Sequence, residues 1–169
     1  MGIPMRYKPL LSIIWHSRTG AAQAIAKAMK RAAVEFEVDV RSISADKAKP
    51  RDLLIPGGLI FCAPEYLGSL SGVMKDFFDR SYYGAIDKCN GKPYALVISA
   101  GSDGTGAARQ LARIATGLRL RPVAEPLIVI TRTQTTQQIL APKVLSPEQL
   151  APAIDLAAGF AAGLAAGIY

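Results

Sequence analysis

Apolar and polar positions fall in blocks along this chain, and the block lengths and periods separate strands from helices. Leu10 to Trp15 is an apolar run broken only by Ser12, too short for a helix and the right length for a buried strand. From Ala21 to Ala33 the period becomes helical: Ala22, Ile25, Met29 and Ala32 share one face, Lys27, Lys30 and Arg31 the other. Phe36 to Ile43 alternates, with Phe36, Val38, Val40 and Ile43 apolar, as a half-exposed strand at a sheet edge does. Asp46 to Leu54 predicts a short helix interrupted by Pro50.

Gly58 to Ala63 and Tyr94 to Ser99 are continuous apolar runs and predict fully buried strands. Between them, Leu70 to Tyr82 is helical, with Leu70, Val73, Met74, Phe77 and Phe78 inward and Lys75, Asp76 and Asp79 outward. Thr105 to Leu118 repeats the pattern, with Leu111, Ile114, Ala115 and Leu118 inward and Arg109 and Arg113 outside. Val123 to Thr131 carries a fifth strand whose apolar end is Leu127 to Ile130. Pro147 to Gly167 is a final helix, N-capped by Ser146 with Pro147 in its first turn. Its Gly and Ala content predicts close packing, against the sheet or a second subunit.

Strands separated by helices, most of them uniformly apolar, specify an α/β fold: a parallel sheet covered by helices on both faces. Five strands with a polar second strand predict the order 2-1-3-4-5. Nothing divides residues 1–169, so one domain is expected. In such sheets the ligand lies beyond the carboxyl ends of the strands, near the switch point between strands one and three. The loops after strands one, three and four therefore carry the candidate chemistry.

The first loop is His16-Ser17-Arg18-Thr19-Gly20, leading into Ala21 and Ala22. It lacks both the Walker pattern G-x-x-x-x-G-K-[S/T] and the dinucleotide pattern G-x-G-x-x-G. A strand that feeds a helix N-terminus through a hydroxyl-rich loop is a ready anion site, because the first-turn N–H groups are unpaired and the dipole is positive there. We read it as a phosphate cradle for a cofactor; the plainer alternative is a helix cap by Ser17 or Thr19. The second loop opens a longer motif, A-P-E-Y-L-G-S-L-S-G-V-M-K-D-F-F-D, from Ala63 to Asp79. The third, Ser99-Ala100-Gly101-Ser102-Asp103-Gly104, is glycine-rich and suits close backbone approach to a ligand, or a flexible turn capping the next helix.

The Ser17-Arg18-Thr19-Gly20 loop resembles that of flavodoxins, which wraps the phosphate of FMN. One departure is Ala22, where flavodoxins often carry a further hydroxyl. Pro64, Glu65, Tyr66, Ser69, Gly72, Lys75 and Asp79 resemble, in order, the segment of NADPH-dependent FMN reductases and related quinone reductases that runs along the flavin. The chain is thereby identified with the flavodoxin-like superfamily, whose fold is a three-layer sandwich. The resemblance implies that Pro64, Glu65, Tyr66, Leu67 and Gly68 line the isoalloxazine and that Gly101, Ser102, Asp103 and Gly104 contact its other side. It implies FMN as a non-covalent cofactor, NAD(P)H as co-substrate, and a quinone, flavin or similar small molecule as electron acceptor. It also implies a homo-dimer or tetramer. The flavin carries the hydride in that chemistry, so no catalytic side chain is expected.

Charge and composition narrow the alternatives. Half the residues are hydrophobic and 20% are charged, which excludes disorder. The net charge is +7, and residues 1–51 hold ten Lys/Arg against four Asp/Glu. A basic first third suits anionic ligands, and argues against an acidic flavodoxin-type electron shuttle, which stands as the alternative reading. A nucleic-acid module is not expected, since the basic residues lie on helix faces without interleaved aromatics. Cys62 and Cys89 predict reduced thiols, a cytoplasmic setting and no metal site. The start has no signal-peptide pattern, and Arg6 stands where a Met-Gly myristoylation signal wants Ser or Thr. Leu156 to Ile168 is shorter than the roughly 20 apolar residues of a membrane span.

Four side-chain positions have two readings each. His16 faces the cofactor phosphate or a proton transfer, or packs its loop. Arg18 pairs with a phosphate or is solvated. Trp15 approaches the flavin or is core. Tyr82 and Tyr83, taken together, line a substrate pocket or form a subunit contact, and the contact is preferred.

Overall fold

The computed structural model describes residues 7–169; the Met-Gly start and Arg6 lie outside them. In chain order the elements are β1 (Leu10–Trp15), α1 (Ala21–Ala33), β2 (Asp39–Ser44), α2 (Arg51–Leu54), β3 (Gly58–Tyr66) and β4 (Ser69–Leu70). There follow α3 (Gly72–Ala85), β5 (Pro93–Ala100), α4 (Thr105–Gly117), β6 (Arg121–Pro122), β7 (Leu127–Ile130), α5 (Thr136–Leu140) and α6 (Pro147–Ala165).

The sheet runs β2-β1-β3-β5, and the far edge of β5 is shared by β6 at its start and β7 at its end. All these pairings are parallel; only β4 is antiparallel, folding back on β3. With β6 and β7 taken as one interrupted strand, this is the expected 2-1-3-4-5 order of a flavodoxin-like α/β fold.

Alternation along each strand builds the two faces. Leu11, Ile13, Ile60, Cys62, Ala95 and Val97 pack under α1 and α6. Ile14, Leu59, Phe61, Leu96 and Ile98 pack against α3 and α4, where Phe61, Phe77 and Phe78 meet ring to ring. Each fully buried Leu, Ile or Phe contributes about 1.5–3 kcal/mol of transfer free energy. The small residues of α6 let it lie close to α1, with Ala153, Ala157 and Ala161 fully buried, so its tight partner is this chain's own helix.

Several boundaries differ from those the sequence predicts. The second strand begins at Asp39 because its register is set by Leu10, and Val38 donates back to the Phe36 carbonyl in a tight turn. The helix expected from Asp46 starts only at Arg51, after Pro50, which lacks the N–H an interior position needs. β3 runs on through Pro64, Glu65 and Tyr66, the last two of which pair with β4, and Leu70 belongs to β4 rather than to α3. Val73 is half-buried rather than core. α5 is not predicted from the sequence, since it buries none of its residues and so shows no apolar face.

Candidate functional site

The carboxyl ends of β1, β3, β5 and β7 open on one cavity of about 420 Å³, within the range of small-molecule sites. From the β1 loop it is lined by Thr19 and Ala21. Pro64, Glu65, Tyr66, Leu67 and Gly68 come from the β3–β4 hairpin, and Ser99, Ala100, Gly101 and Ser102 from the end of β5. The structure thus brings together eleven positions from the three loops singled out in the sequence.

A further wall comes from Thr131, Thr133, Ile139 and Lys143, which sequence reasoning missed. The loop after the fifth strand lies at the same carboxyl rim as the other three. The hydroxyl-rich stretch Thr131-Arg132-Thr133-Gln134-Thr135-Thr136 after the fifth strand was the available signal. Here the Thr131 hydroxyl donates to the Ala100 carbonyl at 3.1 Å and lies 3.1 Å from the Thr133 hydroxyl. Lys143 fastens this wall. Its ammonium donates to the carbonyls of Gln138, Ile139 and Ala141 at 2.8, 2.9 and 2.6 Å, and its backbone N–H donates to the Thr19 carbonyl at 2.7 Å.

The helix N-termini around the cavity differ in a way that matters for anions. α1 starts from Gly20 in a left-handed conformation (φ 103°), with no side-chain cap and no acid in its first turn. α4 also starts from a left-handed glycine, Gly104, but Glu65 reaches across from β3 to cap it. α5 and α6 carry complete capping boxes, Thr135 with Gln138 and Ser146 with Gln149. A 13-residue helix with an uncapped positive end, entered through Thr19 and Ala21, fits a phosphate. The remainder of the cavity, between the hairpin and the end of β5, is lined by Pro64, Tyr66, Leu67 and Ala100 beside backbone and hydroxyl groups, the mixed lining that a planar amphipathic ring needs. The residues present therefore suit FMN.

Seven sequence candidates do not line the cavity, each for a visible reason. Ser17 folds its hydroxyl inward to accept the Gly20 N–H at 3.1 Å, which closes the loop on itself and leaves Gly20 as its turning point. Ala22 is fully buried, and its carbonyl accepts from the Cys62 thiol at 3.4 Å. Arg18 is exposed. His16 turns away to the fully buried Ser71, with Nδ1 3.0 Å from Oγ, and sits edge-on to Tyr66. Asp103 is occupied by Thr105, whose hydroxyl donates to it at 2.9 and 2.8 Å. Gly104 is a packing residue, since a Cβ there would stand 2.6 Å from Ile128 Cγ2. The glycines of the third loop thus serve packing more than ligand approach.

Electrostatics agree with these placements. Burial, and then Arg18, hold the His16 pKa below its usual value, so the ring is neutral at physiological pH. Burial raises the pKa of the Tyr66 hydroxyl, with an opposing contribution from the Arg18 backbone N–H. Burial also pushes the Cys62 thiol far up, leaving it unreactive core. Trp15 packs against the α1/α6 core layer. Among the described residues no cluster of metal-ligating side chains occurs, and no helix is long and apolar enough to cross a membrane.

The sequence model of the NADPH-dependent FMN reductase family matches residues 51–135. That range contains the hairpin, α3, the third loop and the start of the fourth wall. An NAD(P)H-dependent FMN reductase of Schizosaccharomyces pombe is 28% identical over 108 residues, 63% of this chain. The match spans 52%, about half, of that relative's length. Among solved structures, an archaeal flavodoxin superposes with a TM-score of 0.74 at 16% identity, covering 92% of this chain and 98% of that one. Flavodoxin 1 of Bacillus cereus gives 0.71 at 21%, covering 89% and 96%. At those identities the structural likeness establishes the fold.

Proposed function

The chain belongs to the NADPH-dependent FMN reductase family, and from that premise we propose that it binds FMN and catalyses electron transfer from NAD(P)H to a small acceptor. The observation that carries this reading is the uncapped N-terminus of α1 opening into the same cavity as the β3–β4 hairpin and the end of β5. Bound FMN would supply the hydride chemistry, taking two electrons from a reduced nicotinamide and yielding them to the acceptor.

The chain's own residues bind and orient. Thr19 and the first-turn N–H groups of α1 hold the phosphate. Pro64, Tyr66, Gly68, Ser99, Ala100, Gly101 and Ser102 bound the ring. Thr131, Thr133 and Lys143 close the fourth side and exclude water there. No side chain is required to act as acid, base or nucleophile. We take residues 1–169 as one functional unit.

We further infer a homo-oligomer, dimer or tetramer. Its support is the aromatic pair Tyr82 and Tyr83 on α3, 41% and 87% exposed with rings 5.4 Å apart. Sedimentation of the wild type and of Tyr83→Ser tests that contact; a monomeric wild type refutes it.

The test of function is an absorbance spectrum after soaking with FMN and desalting, followed by anaerobic titration with NADPH and with NADH. Retained flavin bands that bleach with either nucleotide support the reading. Bands that survive desalting but never bleach reduce the protein to a flavin carrier.

A further inference from the structure

The turn joining β3 to β4 places an unsuitable residue in a demanding position. Glu65 pairs with Leu70 and Tyr66 with Ser69, so Leu67 and Gly68 form a two-residue hairpin loop. Both have positive φ, 52° and 72°. That is the type I′ geometry, which Asn-Gly or Asp-Gly fills without strain. A leucine there crowds its Cβ against the following carbonyl. Its side chain is also 106% exposed, so no packing within the chain offsets the strain.

The hairpin is not free to relax. The Glu65 carboxylate accepts from the Gly104 and Ala107 N–H groups, and the Leu70 N–H donates to Gln110 Oε1 at 2.8 Å. The Gly68 carbonyl occupies the space where a Cβ on Gly106 would lie. Strain of this kind persists only where the surroundings over-determine the backbone, and it concentrates at functional sites. Leu67 lines the cavity, as does Ile139 from a separate wall, itself 52% exposed.

We propose that Leu67 is a specificity-determining residue: a rigidly presented apolar side chain that contacts the electron acceptor and selects uncharged planar acceptors over charged ones. This rests on the oxidoreductase reading above. An exposed leucine gains free energy when a second reactant covers it, and gains most when that reactant brings no charge to desolvate. With a quinone as acceptor the balance is complete. Reduced nicotinamide gives up two electrons and a proton as hydride, solvent supplies the second proton, and the acceptor leaves as hydroquinone.

Leu67→Asn separates turn chemistry from acceptor contact, because asparagine suits the turn and removes the apolar surface. The melting temperature of the ligand-free variant is expected to rise by about 2–4 °C. In the FMN-loaded protein, kcat/KM for 1,4-naphthoquinone relative to ferricyanide is expected to fall about tenfold, while Leu67→Met holds that ratio within about twofold. A melting temperature that does not rise overturns the strain argument. An unchanged acceptor ratio in Leu67→Asn overturns the specificity role. A smaller assembly on sedimentation of that variant also overturns it, by making Leu67 a subunit contact. A wild type that oxidises NAD(P)H with neither acceptor refutes the oxidoreductase reading itself, which is a different result from a wild type active on both and a variant with the same ratio.

Discussion

The carboxylate of Glu65, on β3, accepts the backbone N–H of Gly104 at 2.9 Å and so caps α4, which lies 39 residues further along the chain. Its second oxygen accepts from Ala107 at 3.0 Å. A charged acceptor at a helix N-terminus satisfies orphan donors and faces the positive end of the dipole. It also fixes the hairpin and the third loop relative to each other, and the cavity lies between them. Glu65→Ala removes two charge-assisted bonds, so a loss of about 2–3 kcal/mol is expected by urea denaturation. Glu65→Gln, which keeps an acceptor, is expected to lose about half as much. FMN affinity should fall in the same order. Equal stability of all three proteins would show that the cap contributes nothing.

Lys143 ties α5 to the loop after β1 but anchors little of the core, since α5 buries none of its residues. Lys143→Met should therefore leave the melting temperature within about 2 °C of wild type. It should weaken FMN binding about tenfold, the loss of roughly one hydrogen-bonded wall. Fluorescence titration with FMN measures the second effect. Hydrogen exchange should show residues 134–142 opening faster in the variant.

Two glycine-to-alanine substitutions should have opposite signs. At Gly106 a Cβ would run into the Gly68 carbonyl oxygen, backbone that cannot step aside. Gly106→Ala should cost about 1–3 kcal/mol and displace the hairpin. Gly159 sits inside α6, and a methyl group added there would meet nothing within 4 Å. Gly159→Ala should stabilise by about 0.5–1 kcal/mol through helix propensity alone. Thermal melts of the two variants check both values.

His16 gives the fold a pH dependence whose sign follows from its lowered pKa. Unfolded, it takes up a proton near pH 6.5, whereas folded it resists until lower pH. Between those two values the unfolded state binds more protons, so stability falls as the pH drops through that window. His16→Asn should flatten the pH dependence below about pH 6.5. A melting temperature equally pH-dependent in variant and wild type would assign that dependence to other groups.

The two-faced core and the loops worth watching were legible in the sequence because each depends on local pattern, and the sheet order followed from the rule for alternating strands and helices with a polar strand at the edge. A run such as Gly58 to Ala63 can be buried only on both sides, and Ser146 followed by Pro147 announces a helix start from two neighbouring residues. The place of the turn at Gly20 followed from the strand–loop–helix order around it.

What the sequence alone could not determine were the polar contacts between distant segments. No local pattern tells that Glu65 caps α4, that His16 turns to Ser71 rather than to the cavity, or that Lys143 docks on Thr19. Each has a polar side chain or backbone group with several possible partners, and only the packed backbone decides which partner is within about 3 Å. α5 escaped notice for the complementary reason: a helix that buries nothing leaves no periodic signature, and its place is set by hydrogen bonds from elsewhere. Periodicity records which faces avoid water, so it specified the layers; directional polar contacts need three-dimensional proximity, so tertiary structure decided the walls of the site.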